Sequence, residues 1–126
     1  YAKVIHIEAL TSLDMLGKLI VPACAAYSKQ LAEGVAAKAG IGVDAPAEAA
    51  QVRLLTEKTA ELIERTERLK AVVAAEPEEL NARAMYEHEA VIPAMEAARQ
   101  VADELEGRVG KEYWPMPSYA DLLFYV

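Results

Sequence analysis

The sequence is poor in cysteine and in long apolar runs, which excludes a disulfide within the chain and a membrane-spanning helix. Because Cys24 is the only cysteine among 126 residues, no disulfide can form within the chain, and nothing requires an oxidising compartment. No run approaches the roughly 18 apolar residues of a membrane span, and no signal-peptide pattern is found. We therefore expect a cytoplasmic location and no membrane partner.

An excess of positive charge is also lacking, since the formal net charge is −7. Nucleic acids and anionic membranes favour a basic face, and the sequence has none, so neither partner is expected. What is present is 54% apolar and 26% charged residues, a composition typical of a folded domain. We expect one domain over residues 1–126. Because Tyr1 is not Met and helical pattern already runs at Val4 and Ile5, we also expect a segment of a longer polypeptide.

Three segments carry the three-and-four spacing that marks one face of a helix. The first covers about residues 2–39, and Gly40 and Gly42 stop it. Its apolar face is Leu13, Leu16, Ile20, Cys24, Tyr27, Leu31 and Val35. Over residues 1–23 apolar side chains occupy most of its girth. We therefore expect another element, upstream of the chain, to cover this part of the helix.

The second helix has the most regular pattern. Asp44 is suited to cap it and Pro46 to lie in its first turn. Its face is Val52, Leu55, Thr59, Leu62, Thr66, Leu69 and Val73. Such a heptad could form a two-stranded coiled coil, but Leu54 and Ile63 widen the stripe and favour a bundle of three or more helices.

The third helix is predicted to begin at Pro77 and to end at Gly107 or Gly110. Its face is Ala84, His88, Val91, Met95, Ala98, Ala102, Leu105 and Val109. The links between the three helices are short, so neighbouring helices should be antiparallel. The predicted fold is all-α, an antiparallel up-down-up bundle of three long helices with an extended C-terminal strap and a short terminal helix.

Two prolines lie within helical pattern, in the similar stretches LIVPACAA and AVIPAMEAA. Pro22 and Pro93 each leave the carbonyl four residues earlier, at Lys18 and at Glu89, without its helical partner. Each proline is therefore predicted to kink its helix, which would curve the helices around the core.

The spacing of the possible ligands and nucleophiles predicts no catalytic, cofactor-binding or metal site. Neither histidine follows a glutamate at the Glu-x-x-His spacing of carboxylate-bound metal sites in helical bundles. Glu87, His88 and Glu89 are consecutive, so they point in different directions, and His88 is assigned to the core face. Cys24 is interpreted as a small core residue, because nothing near it in sequence would lower its pKa.

The last residues, WPMPSYADLLF, concentrate aromatic and proline residues that the rest of the chain lacks. Trp114 and Met116 precede prolines and should be extended, and Ser118 can cap a short helix with Asp121 three residues later. The resulting strap should bury its apolar side chains on the bundle, on an upstream domain or on another subunit. The strap residues are Trp114, Pro115, Pro117, Tyr119, Asp121, Leu122, Leu123 and Phe124.

These residues carry a family resemblance. EYWPMPSYADLLF resembles the C-terminal signature of the long, type III glutamine synthetases, a Trp-Pro-x-Pro-x-Tyr-x-Asp-Leu-Leu-Phe pattern. The stretches IEALTSLDMLGKLIVPACAAY and YEHEAVIPAMEAARQVADELE also resemble that family's C-terminal helical region, and the three blocks occur in the family's order. Ala120 departs from the family, whose members often have Gly there.

The resemblance implies a parent enzyme that ligates ammonia to glutamate with ATP and magnesium, assembled as a large homo-oligomer. It transfers no catalytic residue, because the family's metal and nucleotide ligands belong to the preceding catalytic domain. This chain would then be a noncatalytic C-terminal domain with a structural, assembly or regulatory role, in contact with that domain and with neighbouring subunits. The alternative is a stand-alone helical interaction module that dimerises through the heptad of the second helix.

Overall fold

The structure is a computed structural model that describes residues 2–116, and these residues form helices and turns without a strand. The all-α class is therefore confirmed. Three long helical segments follow one another along the chain, and two of them contain a short π-helical stretch. Among the described residues no helix has the length and apolar character that a membrane crossing requires.

The first helical segment consists of α1 (Ala2–Met15), a π-helical turn (Leu16–Ile20) and α2 (Val21–Gly40). It ends where predicted, because Gly42 has a φ of 80°, a conformation that residues with a Cβ rarely adopt. The Val43 N–H donates to the Lys38 carbonyl at 2.8 Å and closes the turn. Lys38 also reaches over to Glu48 with an N–O distance of 2.7 Å.

The second segment is the single helix α3 (Pro46–Ala74), with proline in its first turn as predicted. Its N-cap is Ala45, which has no side-chain capping bond, so the assignment of the cap to Asp44 was wrong. The chain turns one residue later than the cap preference suggested, because Pro46 already supplies a helical φ at the first position. Its buried residues are Leu55, Thr59, Leu62, Leu69 and Val73, which follow the predicted heptad.

The third segment consists of α4 (Leu80–Tyr86), a π-helical turn (Glu87–Val91) and α5 (Ile92–Glu106). The predicted start at Pro77 was wrong. Glu79 is the N-cap, because its carboxylate accepts hydrogen bonds from the N–H groups of Asn81 and Ala82 at 3.1 and 2.7 Å. These bonds favour the charged carboxylate and lower the pKa of Glu79. The segment ends at Gly107, one of the two predicted positions.

The internal prolines distort their helices through π-helical turns. Val21 donates its N–H to the Leu16 carbonyl, and Ile92 donates to the Glu87 carbonyl, the five-residue spacing of a π turn. One residue then separates each π turn from Pro22 or Pro93. The wider turn takes up the distortion that a missing N–H and the proline ring impose on the preceding turn.

The core consists of two clusters along the three helical segments. The first unites Leu16, Ile20 and Cys24 with Leu55, Leu62, Ala98, Val101, Ala102, Leu105 and Val109. The second unites Ile5 and Ala9 with Leu69, Val73, Val91 and Ala94. From the first helical segment to α3 and from α3 to the third segment, the order in which the chain passes through the two clusters reverses.

Candidate functional site

The described part of the predicted strap packs against the first core cluster. After the 3-10 turn Lys111–Tyr113, Trp114 is extended with φ −75° and ψ 121°, as its position before a proline predicted. Trp114 and Met116 contact the cluster, whereas Pro115 is exposed. The other predicted strap residues lie outside the described residues: Pro117, Tyr119, Asp121, Leu122, Leu123 and Phe124.

Trp114 and Met116 also line a groove of about 600 Å³. Its walls come from the N-terminal part of the first helical segment and from α5, and they include Met15, Ile92 and Met95. The lining also has polar and charged residues on both walls, with Glu8, Thr11 and Ser12 on α1 and Glu96, Arg99, Asp103 and Glu106 on α5.

On the third segment the structure buries Glu87, whereas the sequence predicted that its neighbour His88 would lie on the core face. His88, predicted to lie on the core face, is exposed, while Glu87 is 1% exposed. A π turn takes one residue more than an α turn, so the residues before it are displaced by one position around the helix. The core face therefore passes through Glu87 in place of His88, and Ala84 is exposed for the same reason.

Glu87 belongs to a cluster of charged side chains that three separate segments bring together. His6 comes from α1, Glu76 from the link after α3, and Arg83 from α4. His6 Nδ1 and Glu76 Oε2 are 2.9 Å apart, and Arg83 Nη2 lies 3.2 Å from the same oxygen. Arg83 Nε is 3.6 Å from Glu87 Oε2. One ligand atom each from His6, Glu76 and Glu87 lie within 4.8 Å of one another.

This cluster is buried and incompletely hydrogen-bonded. The side chains of Glu76 and Glu87 are 6% and 2% exposed, whereas those of His6 and Arg83 are about one-third exposed. No protein hydrogen bond reaches Glu76 Oε1 or either carboxylate oxygen of Glu87. Burial, and then the neighbouring Glu76 carboxylate, raise the pKa of Glu87, and Arg83 opposes this shift.

Sequence reasoning missed this cluster because its members are far apart along the chain. A search by local spacing finds ligand pairs on one helix, and His6, Glu76 and Glu87 share no helix. The sequence offered one signal of a buried glutamate, namely that Glu87 is adjacent to the predicted core position His88 and lies six residues before Pro93. Cys24, in contrast, is where it was predicted, fully buried, and burial raises its pKa to about 11.

The comparison with known proteins shows which class of protein the chain is similar to. The sequence model of the glutamine synthetase C-terminal domain matches residues 1–39, which are most of the first helical segment. The block that resembled this family at the start of the chain lies within the matched range. Over these residues the chain is similar to the C-terminal domains of glutamine synthetases.

Two individual relatives make the resemblance more specific. The chain is 31% identical, over 98% of its length, to the type-3 glutamine synthetase of Dictyostelium discoideum. It is 29% identical, again over 98% of its length, to a glutamine synthetase of Butyrivibrio fibrisolvens. These similarities confirm the resemblance to the type III enzymes. The chain spans 18% of the length of each of these relatives.

Proposed function

We propose that this chain serves as the noncatalytic C-terminal helical domain of a glutamine synthetase, with a structural, assembly or regulatory role. The observation that carries the proposal is the similarity to two glutamine synthetases along 98% of the chain. Because the chain corresponds to only 18% of their length, most of such an enzyme lies outside these residues. In this proposal the complete active site is formed elsewhere in the parent protein.

The parent protein would ligate ammonia to glutamate at the expense of ATP, with magnesium as the metal cofactor. It would be a cytoplasmic homo-oligomer, as the family resemblance implies. These residues would contribute to the contacts of the catalytic domain and of neighbouring subunits, and not to the chemistry of ligation.

The proposed architecture of the domain is the antiparallel up-down-up bundle. It is supported by the reversed order in which successive helical segments pass through the two core clusters, from Ile5 to Cys24, from Leu55 to Val73, and from Val91 to Leu105. The polar contacts between α3 and α5 agree with this pairing. Arg65 donates to the Ala97 carbonyl at 2.7 Å, and Lys58 lies 2.7 Å from Glu104.

The proposed partner of the N-terminal helix is the upstream catalytic domain. Val4, Ile7 and Leu10 on α1 are 58%, 54% and 48% exposed, although their neighbours Ile5 and Ala9 are buried. Exposed apolar side chains in this number on one helix are typical of a surface that another domain covers. Most of the length of the relatives lies outside this chain, so a covering domain is available within the same protein.

The proposed strap runs from Trp114 to Phe124 and packs against the bundle, the upstream domain or a neighbouring subunit. The contacts of Trp114 and Met116 with the first core cluster support this role, and both residues also line the groove between α1 and α5. The apolar residues Tyr119, Leu122, Leu123 and Phe124 would extend the buried surface.

An activity assay tests the proposal. We expect ATP-dependent glutamine formation by the full-length protein and none by residues 1–126 alone. Glutamine formation by the isolated chain would contradict the proposed division between the catalytic domain and this one. A full-length protein without such activity would contradict the proposed parent enzyme.

The alternative of a stand-alone module is less well supported. It requires the heptad face of α3 to be free for dimerisation, but Leu55, Leu62 and Leu69 on this face are at most 2% exposed. They pack against residues of the first and third helical segments. A second chain could reach them only after the helices had separated.

A further inference from the structure

We propose that His6, Glu76 and Glu87 form a binding site for one divalent transition-metal cation, of which Zn²⁺ is the representative. The site is independent of the proposed enzymatic parent, because all its ligands belong to this chain. It would join the start of α1 to the link after α3 and to the π turn of the third helical segment.

The ligand types suit such an ion. Imidazole nitrogen is a good ligand for zinc and related transition metals, and carboxylate oxygens complete the set. The 2.9 Å between His6 Nδ1 and Glu76 Oε2 is close to the roughly 3.0–3.4 Å between two ligands bound at about 2.1 Å from one ion. Since the three ligand atoms lie within 4.8 Å, Glu87 needs a shift of no more than roughly 2 Å to join them.

The buried carboxylate oxygens that have no hydrogen-bond partner favour a cation at this position. Glu87 is a buried carboxylate whose two oxygens have no hydrogen-bond partner, and Glu76 Oε1 is buried without one as well. In this cluster two carboxylates, those of Glu76 and Glu87, face one guanidinium, that of Arg83. A buried charge of this kind is costly unless it is paired or coordinates a metal.

The guanidinium of Arg83 would compete with a metal ion for the carboxylates of Glu76 and Glu87. This guanidinium lies 3.2 Å from Glu76 Oε2 and 3.6 Å from Glu87 Oε2, so it partly neutralises the carboxylates. Because the side chain is 30% exposed, its head can turn toward solvent when an ion arrives. In the tautomer whose Nδ1–H donates to Glu76 Oε2, metal binding at Nδ1 would release this proton to solvent, and Nε2 would take up a proton from solvent and become the N–H of the ring.

Histidine modification in the full-length protein tests the proposal without a substitution. Diethyl pyrocarbonate acylates an unprotonated ring nitrogen, and a metal on Nδ1 with hydrogen on Nε2 leaves none available. We expect Zn²⁺ to slow the acylation of His6 at least tenfold while His88, exposed and outside the cluster, reacts unchanged. After trypsin the two residues fall on different peptides, Val4 to Lys18 and Ala84 to Arg99, so mass spectrometry reports each one.

Variants then locate the ligands. Glu87→Gln should weaken the protection of His6 by Zn²⁺ at least tenfold, whereas Glu89→Gln, the same change at an exposed position nearby, should leave it intact. Arg83→Met should strengthen protection roughly tenfold, because a competing positive charge is removed. If the cluster were only a network of ion pairs, Arg83→Met would leave Zn²⁺ without effect on the acylation of His6 and would weaken the contacts within the cluster.

Three results would decide between a metal site and its absence. Protection of neither histidine, or of both equally, would overturn the proposal, the second result meaning adventitious binding. Protection that persists unchanged in Glu87→Gln would also overturn it. Should a variant fail to fold, the comparison of His6 with His88 in the unaltered protein decides by itself. Mg²⁺ serves as the comparison ion and should protect His6 at least tenfold less at equal concentration, because it prefers oxygen ligands.

Discussion

Gly110 lies so close to the ring of Tyr27 that a side chain there has no room. A Cβ on Gly110 would be 2.9 Å from Tyr27 Cε1. Tyr27 in turn packs against Tyr113 with ring centroids 5.3 Å apart, and the Tyr113 hydroxyl donates to Gln30. This contact brings the chain that leads to Trp114 against α2.

We predict that Gly110→Ala lowers the free energy of unfolding by about 1–3 kcal/mol, because the added methyl group must displace the Tyr27 ring. The control is Gly107→Ala, where the nearest atom would be 3.6 Å away and φ is −72°. The control should be neutral or stabilising by up to about 1 kcal/mol. Urea denaturation measures both, and equal stability of the two variants would contradict the prediction.

Cys24 is predicted to be chemically inert in the folded protein. Burial raises the pKa of its thiol from 9.0 to about 11, so at pH 8 the thiolate population falls about 100-fold relative to an ordinary cysteine. The neutral thiol stabilises the fold below pH 9, and this contribution is lost as the pH rises toward 11.

Iodoacetamide labelling followed by mass spectrometry checks this expectation. Cys24 should react at least 100-fold more slowly at pH 8 in the native protein than in urea. A cysteine placed at the exposed neighbour, as Ala25→Cys in a Cys24→Ala background, should react rapidly in both. Fast native labelling of Cys24 would show that its burial is not maintained in solution.

Among the helices, α3 is the element whose sequence pattern and structure agree best. Its heptad positions are buried or half-buried along the whole helix, and the first and third helical segments contribute to both clusters against it. Leu62 is fully buried near the middle of α3, whereas the next residue, Ile63, is 45% exposed.

We predict that Leu62→Ala lowers the free energy of unfolding by about 2–5 kcal/mol, through lost burial and the cavity left behind. Ile63→Ala removes a side chain of the same size and should cost less than about 1 kcal/mol. Chemical denaturation with an unchanged m-value measures the difference. Similar losses at the two positions would mean that Ile63 is covered in the protein by a neighbour.

The third helical segment shows where reading by periodicity fails and why. From Val91 to Leu105 the predicted face is buried, but at His88 and Ala84 it is exposed. Helical periodicity assumes a constant turn, and Pro93 is preceded by a π turn that breaks this assumption. The proline was visible in the sequence. The π turn before it is seen only in the structure.

At the scale of the whole molecule, Trp114 and Met116 pack against the first core cluster and line the groove between the N-terminal part of the first helical segment and α5. Trp114 and Phe124 are the first and last residues of the proposed strap, so they are the positions at which its contribution is best tested.

We predict that Trp114→Ala together with Phe124→Ala lowers the melting temperature or reduces the oligomer size of the full-length protein, and leaves its catalytic groups untouched. Loss of the half-buried Trp114 alone should cost roughly 2 kcal/mol, from its apolar area. Leu80→Ala, at a position 71% exposed, is the control. Calorimetry and size-exclusion chromatography measure the two effects, and an unchanged double mutant would argue against a strap.

The sequence by itself determined the all-α class, three long helical segments, the buried face of α3 and the family resemblance. Each of these depends on residues that are near one another along the chain, as periodicity, turn glycines and short motifs are. The tertiary structure alone decided that Glu87 is buried in place of His88 and that His6, Glu76 and Arg83 lie beside it. Their meeting depends on helix packing and on one additional residue in a π turn, and a constant helical periodicity predicts neither.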